Sequence, residues 1–156
     1  MKYSATWETL DEIDQLIDPE IWFQDKAQEV TSITPEMLRG KPTFRAFFSK
    51  FADFFLGEKH LIGFNIEYDC QVLDWNLKRY NLERRFPWPP AQHDLMKASK
   101  DLVNMKGKQD QKFPKLVELH QALFGKGFEG AHSAIEDVRA TGRCAIELQK
   151  QGLLWL

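Results

Sequence analysis

No run of this chain approaches the ~18 uninterrupted apolar residues that a membrane-spanning helix requires. Its opening, Met1-Lys2-Tyr3-Ser4-Ala5-Thr6-Trp7-Glu8, lacks the apolar centre of a secretory signal. A soluble, cytoplasmic protein that does not engage a membrane is therefore expected. Cysteine is scarce: Cys70 and Cys144 are the only two, both inside helix-like patterns and neither in a metal-ligand spacing. Free buried thiols are expected and a zinc site is not. Internal repeats, low-complexity tracts and linkers are also missing. Charge of one sign is not in excess, since 21 Lys+Arg meet 23 Asp+Glu for a formal net charge of −2.

What is present suffices for one domain spanning residues 1–156. With 43% apolar and 13% aromatic residues, a chain of this length can bury roughly 68–70% of its unfolded surface. That composition excludes intrinsic disorder. The near-neutral total conceals an asymmetry, because residues 78–115 hold ten Lys/Arg against four Asp/Glu while the remainder is acidic. A positive stripe including Lys78, Arg79, Arg84, Arg85, Lys97 and Lys100 suits a polyanion, and equally a solvated loop surface. Trp22, Trp75, Trp88 and Trp155 offer rings for base stacking, although burial is the commoner fate of tryptophan.

Trp7 to Ile17 reads as an edge strand or a short helix, and periodicity does not decide between them. Thr34-Pro35-Glu36 places a cap and a first-turn proline on a short helix ending near Gly40. From Thr43, Phe44, Phe47, Phe48, Phe51, Phe54 and Phe55 recur at helical spacing up to Gly57, giving an aromatic stripe assigned to the core. His60-Leu61-Ile62-Gly63-Phe64 reads as a buried strand, followed at once by a helix with core face Ile66, Leu73, Leu77 and Tyr80. A short strand is expected over Ala91–Leu95, a helix from Met96 to about Val103 and a mobile loop over Asn104–Lys112. Phe113-Pro114 opens a helix that Gly125 and Gly127 close. The last helix starts after Ser133, with Glu136 completing a capping box, and runs to about Gln151. Strands interleaved with helices make the class α/β.

Two carboxylates fall on inward faces. Asp69 lies three positions after Ile66 and four before Leu73, and Asp137 lies three after Ala134 and four before Thr141. Aspartate is rarely buried without a partner, so a metal ion, a cation or backbone donors are the candidates, unless Asp69 merely borders the apolar stripe. Asn65, at the strand-to-helix junction, is equally well explained as the helix cap. His132 immediately precedes the Ser133 cap and would meet Asp137 across the first turn, where a general base has access to a bound water. His60, His93 and His120 are read as packing residues. Two inward hard-oxygen ligands suit Mg²⁺ or Mn²⁺ better than zinc.

These residues resemble a known family. Gly63-Phe64-Asn65-Ile66-Glu67-Tyr68-Asp69 followed by Leu73 is similar to the second motif of the DEDDh exonucleases, the DnaQ-like enzymes. His132-Ser133-Ala134-Ile135-Glu136-Asp137 resembles their HxxxxD third motif. Ile33-Thr34-Pro35-Glu36-Met37 and His93-Asp94-Leu95 resemble two supporting segments in the family's order. The resemblance spans roughly residues 10–150.

It implies a ribonuclease H-like fold, a mixed central sheet flanked by helices. It also implies removal of nucleotides from the 3′ end of single-stranded DNA or RNA with two divalent ions. By that resemblance Asp69 and Asp137 are metal ligands and His132 is the general base. Asn65, Lys106, Lys108 and Lys112 would contact nucleic acid. Members begin with a strand carrying Asp-x-Glu, and no such strand precedes Leu16-Ile17-Asp18-Pro19 here, where Thr6 stands in place of the needed Asp. The domain is thus expected to be N-terminally incomplete relative to the family, with weak or no turnover. An incomplete copy, a strand from a partner chain, and a non-catalytic nucleic-acid-binding or protein-interaction domain all account for that.

Overall fold

A computed structural model describes residues 1–21, 28–29, 31–106, 112–130 and 133–156, with the backbone alone at 105 and 106. Local chemistry sets the helix starts. Thr34 accepts from the Met37 amide at 3.4 Å and opens α1 (Pro35–Leu38), whose proline sits where no amide is needed. Thr43 accepts from the Ala46 amide at 3.2 Å and opens α2 (Phe44–Phe55), and Gly57, at φ +81°, turns the chain away after it.

The α2 stripe folds inward as expected. Phe48 is buried, and Phe44, Phe51 and Phe55 pack with Leu73 and Leu77 of α3 (Ile66–Arg79), with Tyr80 at its C-terminal cap and with Leu82, Phe86 and Trp88. A second core gathers Leu95 of α4 (Leu95–Ala98), Leu119 of α6 (Leu116–Phe124), and Cys144, Ala145 and Leu148 of α7 (Ala134–Lys150). Leu102 and Val103 of α5 (Lys100–Lys106) lean on it. Burial pushes the Cys144 thiol up to about 12, so it behaves as a small apolar group, whereas Cys70 is only half-buried.

Two short strand pairs complete the α/β arrangement. β1 (Lys2–Tyr3) runs antiparallel to β2 (Thr9–Asp11), and β3 (His60–Gly63) runs parallel to β4 (Ala91–Asp94) with Gly63 opposite Asp94. Among the described residues the expected mixed central sheet is present only as these two short pairs. The two pairs stay separate because no strand among the described residues bridges β1 to β3. Side chains take over the joining. Tyr3 covers Gly142 of α7 so closely that an added Cβ there would lie 2.2 Å from its hydroxyl. The Trp7 indole donates to Gln149, and Arg139 holds Glu12 with two nitrogens at 3.2 and 2.7 Å.

Several local expectations are corrected. Strand structure in the Trp7–Ile17 segment is confined to Thr9–Asp11. The helix expected from Met96 is broken at Ser99, whose buried hydroxyl donates to the Leu95 carbonyl at 2.6 Å. Residues 104–106 belong to α5 rather than a loop, and 107–111 lie outside the described residues. Ser133 stands at the α7 cap position without a side-chain cap bond. Its intended partner Glu136 is drawn instead to Arg139 at 2.6 Å. No described helix is long and apolar enough to cross a membrane.

On one face of the β3–β4 pair, His60 Nδ1 and His93 Nε2 are 3.0 Å apart, a hydrogen bond that requires one neutral ring. Burial, and then the charge of His60, hold His93 below its ordinary value of 6.5. The unfolded chain therefore binds more protons between the lowered value and 6.5, and stability is lost as pH falls through that window. The denaturant midpoint should drop between about pH 7.5 and pH 5.5, and by less in His93→Gln. A midpoint equally pH-dependent in that variant would remove the histidine pair as the cause.

Candidate functional site

The site begins where β3 stops. At Gly63 an added Cβ would lie 2.9 Å from both Cβ and Cγ1 of Ile66, so only glycine allows the first turn of α3 to approach the strand end. Phe64 then turns into the second core, and Asn65 takes the left-handed conformation at φ 61°, ψ 42°. That region costs an L residue about 1–2 kcal/mol and is tolerated best by glycine and asparagine. The reading of Asn65 as a side-chain cap is corrected: it occupies the position, but its side chain makes no cap bond.

The junction is closed from the neighbouring strand. Oδ1 of Asp94, the last residue of β4, accepts from the Asn65 amide at 3.0 Å and from the Met96 amide at 3.0 Å. One oxygen thus caps α4 and pins the loop that launches α3. Sequence reasoning missed this role. The available signal was an aspartate immediately ahead of a helical run, Asp94-Leu95-Met96.

Asp69 lies one turn into α3, and the structure corrects its inward assignment, since the residue is exposed. Its carboxyl is nevertheless held above the ordinary carboxylate value, first by the atoms that shield it from water and then by the charge of Asp94. Asp137 sits half-buried in the first turn of α7, its amide donating to the Ser133 carbonyl at 2.9 Å. α7 packs against β3, the strand that delivers α3, so both carboxylates are carried by elements sharing that strand. His132 and Lys108 lie outside the described residues, as does the side chain of Lys106, while Lys112 is exposed.

The basic segment is less free than its sequence implies. Lys78 pairs with Asp74 at 2.6 Å and Lys97 with Glu67 at 3.0 Å. Arg79 donates to the Pro19 carbonyl at 2.7 Å and lies over Trp75, and Arg85 lies over Phe48. Exposed ion pairs such as the two lysine contacts neutralise charge more than they hold the fold. Trp75 and Trp155 are exposed, and Trp22 lies outside the described residues.

As donors, Asp69 and Asp137 are of the hard oxygen type that divalent Mg²⁺ or Mn²⁺ prefers. Their number falls short of what two such ions need. Among the described residues no group of three or more His, Cys, Asp or Glu is placed to hold a metal.

The family model RNase_T, described as Exonuclease, matches residues 3–144. The chain is 27% identical over 133 residues to the DNA polymerase III PolC-type of Pediococcus pentosaceus, covering 85% of this chain and 9% of that protein. It is 28% identical over 138 residues to the DNA polymerase III PolC-type of Clostridium perfringens, covering 86% and 8%. The chain thus spans less than a tenth of the length of these relatives.

The glycine at the strand end has a direct test. Gly63→Ala should cost about 1–3 kcal/mol, as overpacking does, and should shift the amide resonances of the first α3 turn. An unchanged melting temperature with unmoved resonances would mean that Ile66 yields without strain.

Proposed function

Because this chain belongs to the exonuclease family, we propose that it is a 3′-to-5′ exonuclease domain acting on single-stranded DNA or RNA ends. The observation that carries this reading is the β3–Asn65–α3 junction, which sets Asp69 one turn into a helix within the span matched to that family. We read the fold as ribonuclease H-like, with the antiparallel and parallel strand pairs as separate portions of the family's mixed sheet.

In this reading the divalent ions used by the family supply charge neutralisation at the phosphate. Asp69 and Asp137 are the residues that would hold them. With the described donors short of a two-ion set, no step is assigned through the ions, and turnover by this chain alone is expected to be slow. His132 takes the proton of the attacking water at an imidazole nitrogen. Asn65, Lys106, Lys108 and Lys112 hold the strand, which makes binding fall as salt rises.

A second reading rests on the same shortage of donors: a non-catalytic nucleic-acid-binding domain on this fold. Degradation of a 3′-ended single-stranded oligonucleotide with Mn²⁺ separates the two. The parent should shorten the strand from its 3′ end, Asp137→Ala should not, and His132→Ala should be slower by about 10²-fold or more. Equal degradation by Asp137→Ala would remove the assignment. No turnover in the parent, with salt-sensitive binding retained, would establish the second reading.

A further inference from the structure

We propose that Asp94 is a positioning residue for Asp69, fixing the left-handed Asn65 junction through its Oδ1 and thereby the place of the α3 first turn. This inference rests on the exonuclease reading for its consequence, but not for its geometry. Three observations support it. First, Oδ1 is shared between the amides of Asn65 and Met96, both at 3.0 Å, so the same atom fixes where α3 and α4 begin. Second, Oδ2 is buried and has no hydrogen-bond partner within the described structure. A buried carboxylate oxygen left unsatisfied is destabilising, a cost that the two amide bonds to Oδ1 must offset for the side chain to stay at the junction. Third, Asn65 is held in a conformation that L residues avoid, and its side chain contributes no cap bond to hold it there.

The consequence reaches Asp69 by rigid geometry. From Asn65 to Asp69 is about one helical turn, and Gly63 leaves no slack between the strand end and Ile66. Releasing the Asn65 amide frees the junction to relax toward ordinary backbone angles, which swings the first turn of α3. A small displacement of a reacting group is enough to cost catalysis heavily.

The test compares Asp94→Ala, which removes the acceptor, with Asp94→Asn, which retains a carbonyl oxygen. Thr43→Ala serves as a control that removes a cap remote from the junction. Amide exchange at Asn65 and Met96 should accelerate about tenfold or more in Asp94→Ala relative to the amides of α7, and recover in Asp94→Asn. In oligonucleotide degradation, kcat should fall about tenfold or more in Asp94→Ala with KM little changed. Asp94→Asn should restore it, and Thr43→Ala should leave it alone. Unchanged exchange at Asn65 in Asp94→Ala, or a kcat no lower than in Thr43→Ala, would overturn the proposal. If the parent degrades nothing, the exonuclease reading fails separately. The Asp69 amide and Cβ resonances then decide: displacement in Asp94→Ala upholds positioning, and unmoved resonances refute it.

Discussion

One carboxylate oxygen joins the two parallel strands to the helices that follow them. Asp94 Oδ1 takes the Asn65 amide from the end of β3 and the Met96 amide at the start of α4, each at 3.0 Å. Hydrogen bonds to an ionised acceptor are the stronger kind, about 1.5–3 kcal/mol each. They hold the junction in the left-handed conformation, which asparagine tolerates better than most L residues. Through Asn65 the strand pair sets α3, and through α3 it sets Asp69 and the Leu73, Leu77 and Tyr80 face that closes the aromatic core.

The remainder of the molecule is divided between two cores with α7 along one side. Cys144, Ala145 and Leu148 of α7 anchor the apolar cluster that receives Ile62 from β3, while Tyr3, Trp7 and Glu12 fasten the N-terminal strand pair to α7 by side chains. Ring packing, an indole hydrogen bond and a two-nitrogen arginine contact thus do what a backbone ladder would do in a continuous sheet. The same arginine draws Glu136 away from the α7 start, leaving the first turn that carries Asp137 without a side-chain cap.

Much of this was legible in the sequence where one local rule dominates. The Thr34 cap, most of the phenylalanine stripe of α2 and the α3 core face follow from capping and 3.6-residue periodicity, and the structure agrees with each. Misreadings arose where a distant group outcompetes a local one. Asn65 stands at the cap position that its neighbours in sequence allow but makes no side-chain cap bond, and Asp94, 29 positions on, takes its backbone amide. Ser133 and Glu136 matched the capping box, but Glu12 brings Arg139 to the same place and Glu136 follows the cation. Asp69 falls on the inward face by periodicity, while in the structure it is exposed, its carboxyl only partly shielded. The sequence motif did identify the family, because spacing along one helix survives even when the sheet around it is reduced.

The proposed function makes the first turns of α3 and α7 one surface that meets a nucleic-acid end. Titrating the isotope-labelled chain with a 3′-ended single-stranded oligonucleotide and following its amide resonances addresses that surface as a whole. If that surface is the site, shifts concentrate at residues 65–70 and 133–138 and at Lys112, and weaken together as salt is raised. Shifts confined to α2 and the segment around Phe86, with residues 65–70 and 133–138 unmoved at saturation, would contradict it.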